Sequence, residues 1–174
     1  MDFNILYAIQ SMRFDLLDQI VLFISTLIGS HSLLWLIIGV GLCIFKKTRK
    51  CGVAMILAFA IGLLVGHTIL KNLIARPRPC QIDQSVALLV DRPSSFSCPS
   101  SHTLFAFSSA TAVFMYFKKV GIAAFIFAAI VGFTRMYLFV HFPSDVLFGA
   151  VLGVVIGVIS VKIVNALSEK WSFL

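Results

Sequence analysis

The chain has 174 residues, 60% of them hydrophobic and 12% charged, with a net charge of +7 and a mean hydropathy of +1.03. A soluble domain averages about 45–50% apolar and about 25% charged residues, so a soluble globule of this length is excluded. The composition predicts one all-α domain over residues 1–174, a polytopic membrane protein with room for about six spans of about 20 residues each. The positive charge does not point to nucleic acid. Lys46, Lys47, Arg49, Lys50, Lys118 and Lys119 interrupt apolar runs, as cytoplasmic loops do under the positive-inside rule. A phosphate-tracking groove would interleave aromatics on a solvated face.

Taken in order, residues 1–15 mix Asp2, Arg13 and Asp15 with apolar positions. They lack the ordered charge, apolar core and small-residue site of a cleaved signal, and predict an interfacial helix. Spans are expected at 16–28, 32–45, 51–69, 102–117, 120–140 and 146–163, with a tight turn at Gly29-Ser30-His31-Ser32 between the first two. Gly62 and Gly66, and later Gly149, Gly153 and Gly157, fall at four-residue spacing, which lets helices approach closely. His67 lies one turn before Lys71 on the same face and reads as a packing histidine bonded to a neighbour. Arg76-Pro77-Arg78-Pro79 ends the third helix, because a proline disfavours α conformation in the residue before it. Residues 86–90 predict a half-buried interfacial turn or short helix. Glu169, Lys170 and Trp171 read as an interfacial tail.

Counting crossings from a cytoplasmic 46–50 loop puts residues 71–100 outside, 118–119 inside and 141–144 outside, with both termini cytoplasmic. Cys43 and Cys51 read as inert small hydrophobes. Cys80 and Cys98 flank the outer loop, and a disulfide between them stays open.

Three polar islands therefore share one face: Lys71 to Pro79, Cys98 to His102, and Thr134-Arg135 followed by His141 and Asp145. Ionisable groups buried in a bundle are costly without an anion to satisfy them. Lys71, Arg78 and Arg135 supply positive charge for a phosphate, the guanidinium groups bidentately. Pro99-Ser100-Ser101-His102 starts a helix whose free N–H groups cradle an anion, and the Ser100 hydroxyl adds a donor. His141 and Asp145 lie four apart, so the carboxylate can orient the ring and leave its other nitrogen as nucleophile. His102 is the matching general acid. Two histidines and one carboxylate among three cations do not favour a divalent metal, so neither metal nor other cofactor is expected.

Together the islands resemble the type-2 phosphatidic acid phosphatase superfamily, whose signature is K-x(6)-R-P, P-S-G-H and S-R-x(5)-H-x(3)-D. Lys71, Arg78 and Pro79 meet the first part. Ser101 stands for glycine in the second, and Thr134 for serine in the third. The resemblance implies a six-helix bundle in a bacterial cytoplasmic membrane with an extracytoplasmic site, active stretch 71–145. It implies that His141 forms a phosphohistidine, Asp145 orients it and His102 protonates the leaving group. Lys71, Arg78, Ser100 and Arg135 would bind phosphate with the backbone N–H groups of Ser101 and His102. The implied substrate is a membrane lipid phosphate or diphosphate, undecaprenyl diphosphate first, with phosphatidylglycerophosphate, phosphatidate and lipid A 1-phosphate as alternatives. A transporter or non-catalytic anion or lipid binder is the rival class, but transporter sites lie at the bilayer midplane on broken helices, whereas these islands fall at span ends.

Overall fold

The computed structural model describes residues 1–29 and 33–170. Among them every regular element is helical: α1 (Asp2–Gln10), α2 (Asp15–Ile28), α3 (Leu33–Cys43), α4 (Arg49–Ile61), α5 (Lys71–Ile74), α6 (Pro79–Ile82), α7 (Ser101–Tyr116), α8 (Lys118–Tyr137) and α9 (Pro143–Lys170). A π-helical stretch, Gly62–Leu70, joins α4 to α5 without a break. His31 and Trp171 lie outside the described residues.

The centre of the bundle is α7 held against α9. A side chain on Gly149, Gly153 or Gly157 would run into α7 backbone: a Cβ there would sit 2.8 Å from Ser100 O, 2.5 Å from Leu104 O and 2.7 Å from Ser108 O. The four-residue glycine spacing thus brings two helix backbones together, as expected. Gly62 and Gly66 make room for the Leu104 side chain, whose methyl carbons a Cβ at either position would strike. Trp35, Met55, Phe59, Leu104, Phe105 and Ile156 fill the bundle core. A second apolar cluster, with Leu6, Ile9, Tyr137, Phe139 and Phe142, closes one end. Outward-facing Phe23, Ile37, Ile126 and Leu147 are each 60–68% exposed. That apolar exterior suits a hydrocarbon solvent.

Among the described residues three helical segments are long and apolar enough to cross a membrane: Arg49–Ile82, Lys118–Tyr137 and Pro143–Lys170. Asp15–Ile28 and Leu33–Cys43 reach that length only together, bent by 51°. These lengths do not by themselves give six separate spans. At about 1.5 Å per residue, neither α2 nor α3 covers a core of about 30 Å alone. Helix α1 packs at the end that carries the polar islands, with Asp2 on Arg76 (2.9 Å), Tyr7 on Asp83 (2.8 Å) and Gln10 on the Tyr137 carbonyl (2.9 Å). The expected placement of the N terminus at the opposite end is corrected accordingly. The Lys46–Lys50 and Lys118-Lys119 clusters do lie at the far end from the islands, at the starts of α4 and α8.

Between α5 and α7 the chain behaves much as the prolines dictate. Ala75 turns left-handed (φ 47°) and stops α5, Arg78 is extended, and Pro79 opens the single turn of α6. Residues 86–90 form no helix, but Val86, Leu88, Leu89 and Val90 are partly buried against the end cluster. All four cysteines are free thiols, so no Cys80–Cys98 disulfide is formed.

The α7–α9 contact yields a direct test. Gly153→Ala should destabilise the detergent-solubilised protein by about 1–3 kcal/mol, because its methyl meets backbone that cannot move aside. Gly41→Ala, where a Cβ meets nothing within 4 Å, should leave the thermal midpoint unchanged or raise it. Equal effects at both sites would contradict the packing described.

Candidate active site

The polar end is assembled from four chain segments. The continuous α4–π–α5 rod delivers His67 and Lys71, and the extended Arg-Pro-Arg-Pro turn delivers Arg76 and Arg78. The start of α7 brings Ser101 and His102. The end of α8 and the loop into α9 bring Arg135, His141 and Asp145. Gln81 Oε1 accepts the Arg78 backbone N–H at 2.8 Å and fixes the turn. Asp145 O accepts the Ser100 N–H at 3.2 Å and ties the start of α7 to that of α9.

Arg78 is buried, and its bonds fix the His141 ring. Nε and Nη2 donate to Ser95 O and Oγ at 2.7 and 2.9 Å, while Nη1 donates to Val140 O at 2.8 Å. Nη1 also lies 3.1 Å from His141 Nε2. A guanidinium can only donate, so Nε2 accepts and the ring proton sits on Nδ1. That proton faces Ser97 Oγ at 3.4 Å, and the Ser97 hydroxyl in turn donates to Asp145 Oδ2 at 2.5 Å. His141 Nδ1 is 3.9 Å from Asp145 Oδ2, too far for a hydrogen bond. The expected carboxylate–imidazole contact thus runs through a hydroxyl. Asp145 is fully buried and takes two further donors, the Phe142 N–H at 2.9 Å and Arg76 Nη1 at 2.6 Å. Burial, with Arg78 and Lys71 adding to it against the opposing pull of Asp145, pushes the His141 imidazole down to about 3. At neutral pH the ring is therefore uncharged, with its Nε2 lone pair turned to Arg78.

A cavity of about 650 Å³ opens in front of Nε2, lined by Lys71, Arg78, Arg135, Ser101, His102 and His141 among others. Lys71, Arg78 and Arg135 are each 4–5% exposed. Arg135 Nε donates to Thr134 Oγ1 at 3.1 Å, so threonine serves where the signature has serine. Arg135 Nη2 is buried with no hydrogen-bond partner. His102 Nε2 lies 3.2 Å from the Gly29 carbonyl, which requires a proton on that nitrogen and pins the ring at the cavity wall. Among the described residues no three His, Cys, Asp or Glu side chains converge to hold a metal ion. The cavity's own chemistry is that of an anion site.

One expected residue sits elsewhere. Ser100, the N-cap of α7, is fully buried outside the cavity lining, and its Oγ takes the Thr103 hydroxyl at 3.0 Å. Its neighbour Ser101 faces the cavity instead. Asp145 lies behind His141 rather than in the cavity, as an orienting group should. Sequence reasoning missed Ser97, Arg76 and Asp2, none of which falls in a signature position. It anticipated that His67 bonds a neighbour: Nδ1 is 3.0 Å from Ser101 Oγ, and the ring also lines the cavity.

Comparison with known proteins gives the same picture. Residues 50–169 match the PAP2 superfamily. The chain is 34% identical over 130 residues to an undecaprenyl-diphosphatase of Sulfolobus acidocaldarius, covering 74% of this chain but 63% of that protein, under two thirds of its length. It is 37% identical over 154 residues to phosphatidylglycerophosphatase B of Bacillus subtilis, covering 80% and 71%. Among solved structures, Aquifex aeolicus LpxE superposes with a TM-score of 0.74 at 31% identity, covering 92% of this chain and 94% of that one. The PAP2-type phosphatidylglycerolphosphate phosphatase of Bacillus subtilis superposes with the same TM-score at 34% identity, covering 97% and 85%. With its three motifs converging on one cavity and most of its length matched, the chain belongs to the PAP2 superfamily.

Proposed function

We propose that this membrane protein is a metal-independent lipid phosphatase that hydrolyses a phosphate or diphosphate of a membrane lipid through a phosphohistidine. The observation that carries the reading is that three buried cations, Lys71, Arg78 and Arg135, line one cavity with His141. Buried cations gathered at one cavity favour an anionic ligand there. An entering phosphate oxygen takes over Arg78 Nη1 and frees His141 Nε2 for attack. The N–P bond forms as the P–O bond to the lipid breaks, and His102, entering the step as imidazolium, gives the leaving oxygen its Nδ1 proton while Nε2–H stays on the Gly29 carbonyl. Water then attacks the phosphorus and returns a proton to His102, and the N–P bond breaks to release inorganic phosphate. The Nδ1 proton stays shared with Ser97 and Asp145 throughout, which stabilises the charge that builds on the ring. Lys71, Arg78 and Arg135 hold the equatorial oxygens, where negative charge concentrates. Ser101 takes the donor role expected of Ser100.

Undecaprenyl diphosphate is the substrate we favour, supported by the name of the Sulfolobus relative and by Arg92, Ser94 and Ser95, which widen the cavity beyond one phosphate. For orientation, we count α2–α3 as one bent crossing and α7 as a further one, since it runs from the site to the Tyr116–Asn165 contact at the far end. With the lysine clusters cytoplasmic, the bundle crosses five times. The site and N terminus then lie outside and Lys170 inside, in a bacterial cytoplasmic membrane.

Purified protein in detergent with EDTA should release phosphate from undecaprenyl diphosphate faster than from phosphatidate, phosphatidylglycerophosphate or lipid A. His141→Ala should abolish release. Loss of activity in EDTA, or an active His141→Ala, would contradict the mechanism, whereas preference for another lipid would revise only the substrate.

The pH dependence of stability follows from the neutral nucleophile. Free imidazole titrates near about 6.5, so as pH falls from there toward about 3 the unfolded chain gains a proton that folded His141 refuses. Folded stability therefore drops with acidification over that window. His141→Gln should flatten the fall in thermal midpoint between about pH 6.5 and 4, while an unchanged slope would place the ring outside the dry pocket described.

A further inference from the structure

We propose that Asp2 and Arg76 are positioning residues for Asp145, so that helix α1 braces the nucleophile from outside the catalytic cavity. The proposal rests on the reading of His141 and Asp145 given above. One carboxylate oxygen of Asp145, Oδ2, is held by the Ser97 hydroxyl and the Phe142 N–H. The other, Oδ1, is held by Arg76 Nη1 at 2.6 Å. The carboxylate plane, and with it the Ser97 bridge to His141, therefore depends on a residue that does not line the cavity.

Arg76 in turn is fixed by the N-terminal helix. Nη1 also donates to Ser144 Oγ at 2.7 Å, and Nη2 donates to Asp2 Oδ2 at 2.9 Å. The Ser144 hydroxyl donates to the same Asp2 oxygen at 2.5 Å. The guanidinium lies over the Phe142 ring at 4.0 Å, and Phe3 of α1 meets that ring edge-on at 5.2 Å. The far side of Arg76 opens on a separate hollow lined by Met1, Asp2, Phe3 and Ile82, among others, and the Arg76 side chain is 31% exposed. A half-exposed arginine with only one anchored nitrogen would exchange between the carboxylate and water. Asp2 anchors the second nitrogen, and a planar fork can satisfy both carboxylates where an ammonium cannot. Helix α1 is itself seated, with Leu6 and Ile9 buried and Tyr7 and Gln10 bonded to other segments.

A partly exposed Asp2–Arg76 pair would add little to stability on its own, so stability and turnover should separate. Steady-state kinetics of the full chain in detergent, on a lipid phosphate that the wild type hydrolyses, provide the test. Asp2→Asn should lower kcat about tenfold with KM and thermal midpoint unchanged, since a misplaced orienting group costs turnover rather than binding. Asp2→Glu should recover most of the loss. Arg76→Lys should lower kcat at least as much, and adding Asp2→Asn to it should cause no further loss, because the two residues act in one chain of contacts. Wild-type kcat in Asp2→Asn, a loss confined to KM, or additive losses in the double variant would overturn the proposal. If Arg76→Lys does not fold, the Asp2 variants decide alone. A wild-type protein inactive on every lipid phosphate would instead refute the phosphatase reading, and the inference with it.

Discussion

Three cations that repel one another are held out of water around one cavity, and the rest of the structure can be read as the means of keeping them there. Lys71, Arg78 and Arg135 come from different segments and are each almost fully buried. Charges in such a place are retained when they are bonded or when a ligand needs them. Arg78 is bonded throughout, to Ser95, Val140 and His141. Arg135 is not, and one of its guanidinium nitrogens is buried without a partner. Arg78 thereby fixes the tautomer of His141.

The scaffold supplies the rigidity this requires. Glycines on α9 bring its backbone against that of α7, so the start of α7, with Ser101 and His102, and the start of α9, with Asp145, move as one piece. The Ser100–Asp145 backbone bond joins them directly. The wide π-helical stretch before Lys71 rotates His67 toward Ser101, in keeping with the frequent use of such irregularities near functional sites. The apolar exterior leaves the site at one end of the bundle, where a lipid headgroup can reach it while its tails stay in the hydrocarbon.

Much of this was legible in the sequence because it is local. Lys71 to Pro79 and Arg135 to Asp145 each lie within one short stretch, so their spacing alone groups the charges. Glycine periodicity likewise foretold close packing. What escaped was long-range or phase-dependent. Arg76 meets Asp145 across 69 positions and Asp2 across 74, and Ser97 meets Asp145 across 48. No spacing rule links such pairs. Ser100 and Ser101 differ by one helical step of about 100°, enough to turn one hydroxyl into the protein and the other into the cavity. The crossing count was less legible, because the two short apolar runs, 16–28 and 32–45, form helices that reach spanning length only as one bent pair. Helix α1 packs at the end that carries the islands, which is what brings Asp2 to the site.

The covalent intermediate is the most direct test of the account. The protein is mixed with a lipid phosphate labelled in its phosphorus, quenched in alkali within the first turnovers, and digested to locate the label. Label should be found on the peptide carrying His141, stable to alkali and lost in mild acid as a phosphoramidate is, and absent from His141→Ala. Substrate hydrolysed at full rate with no label trapped on His141, or label on another side chain, would contradict it.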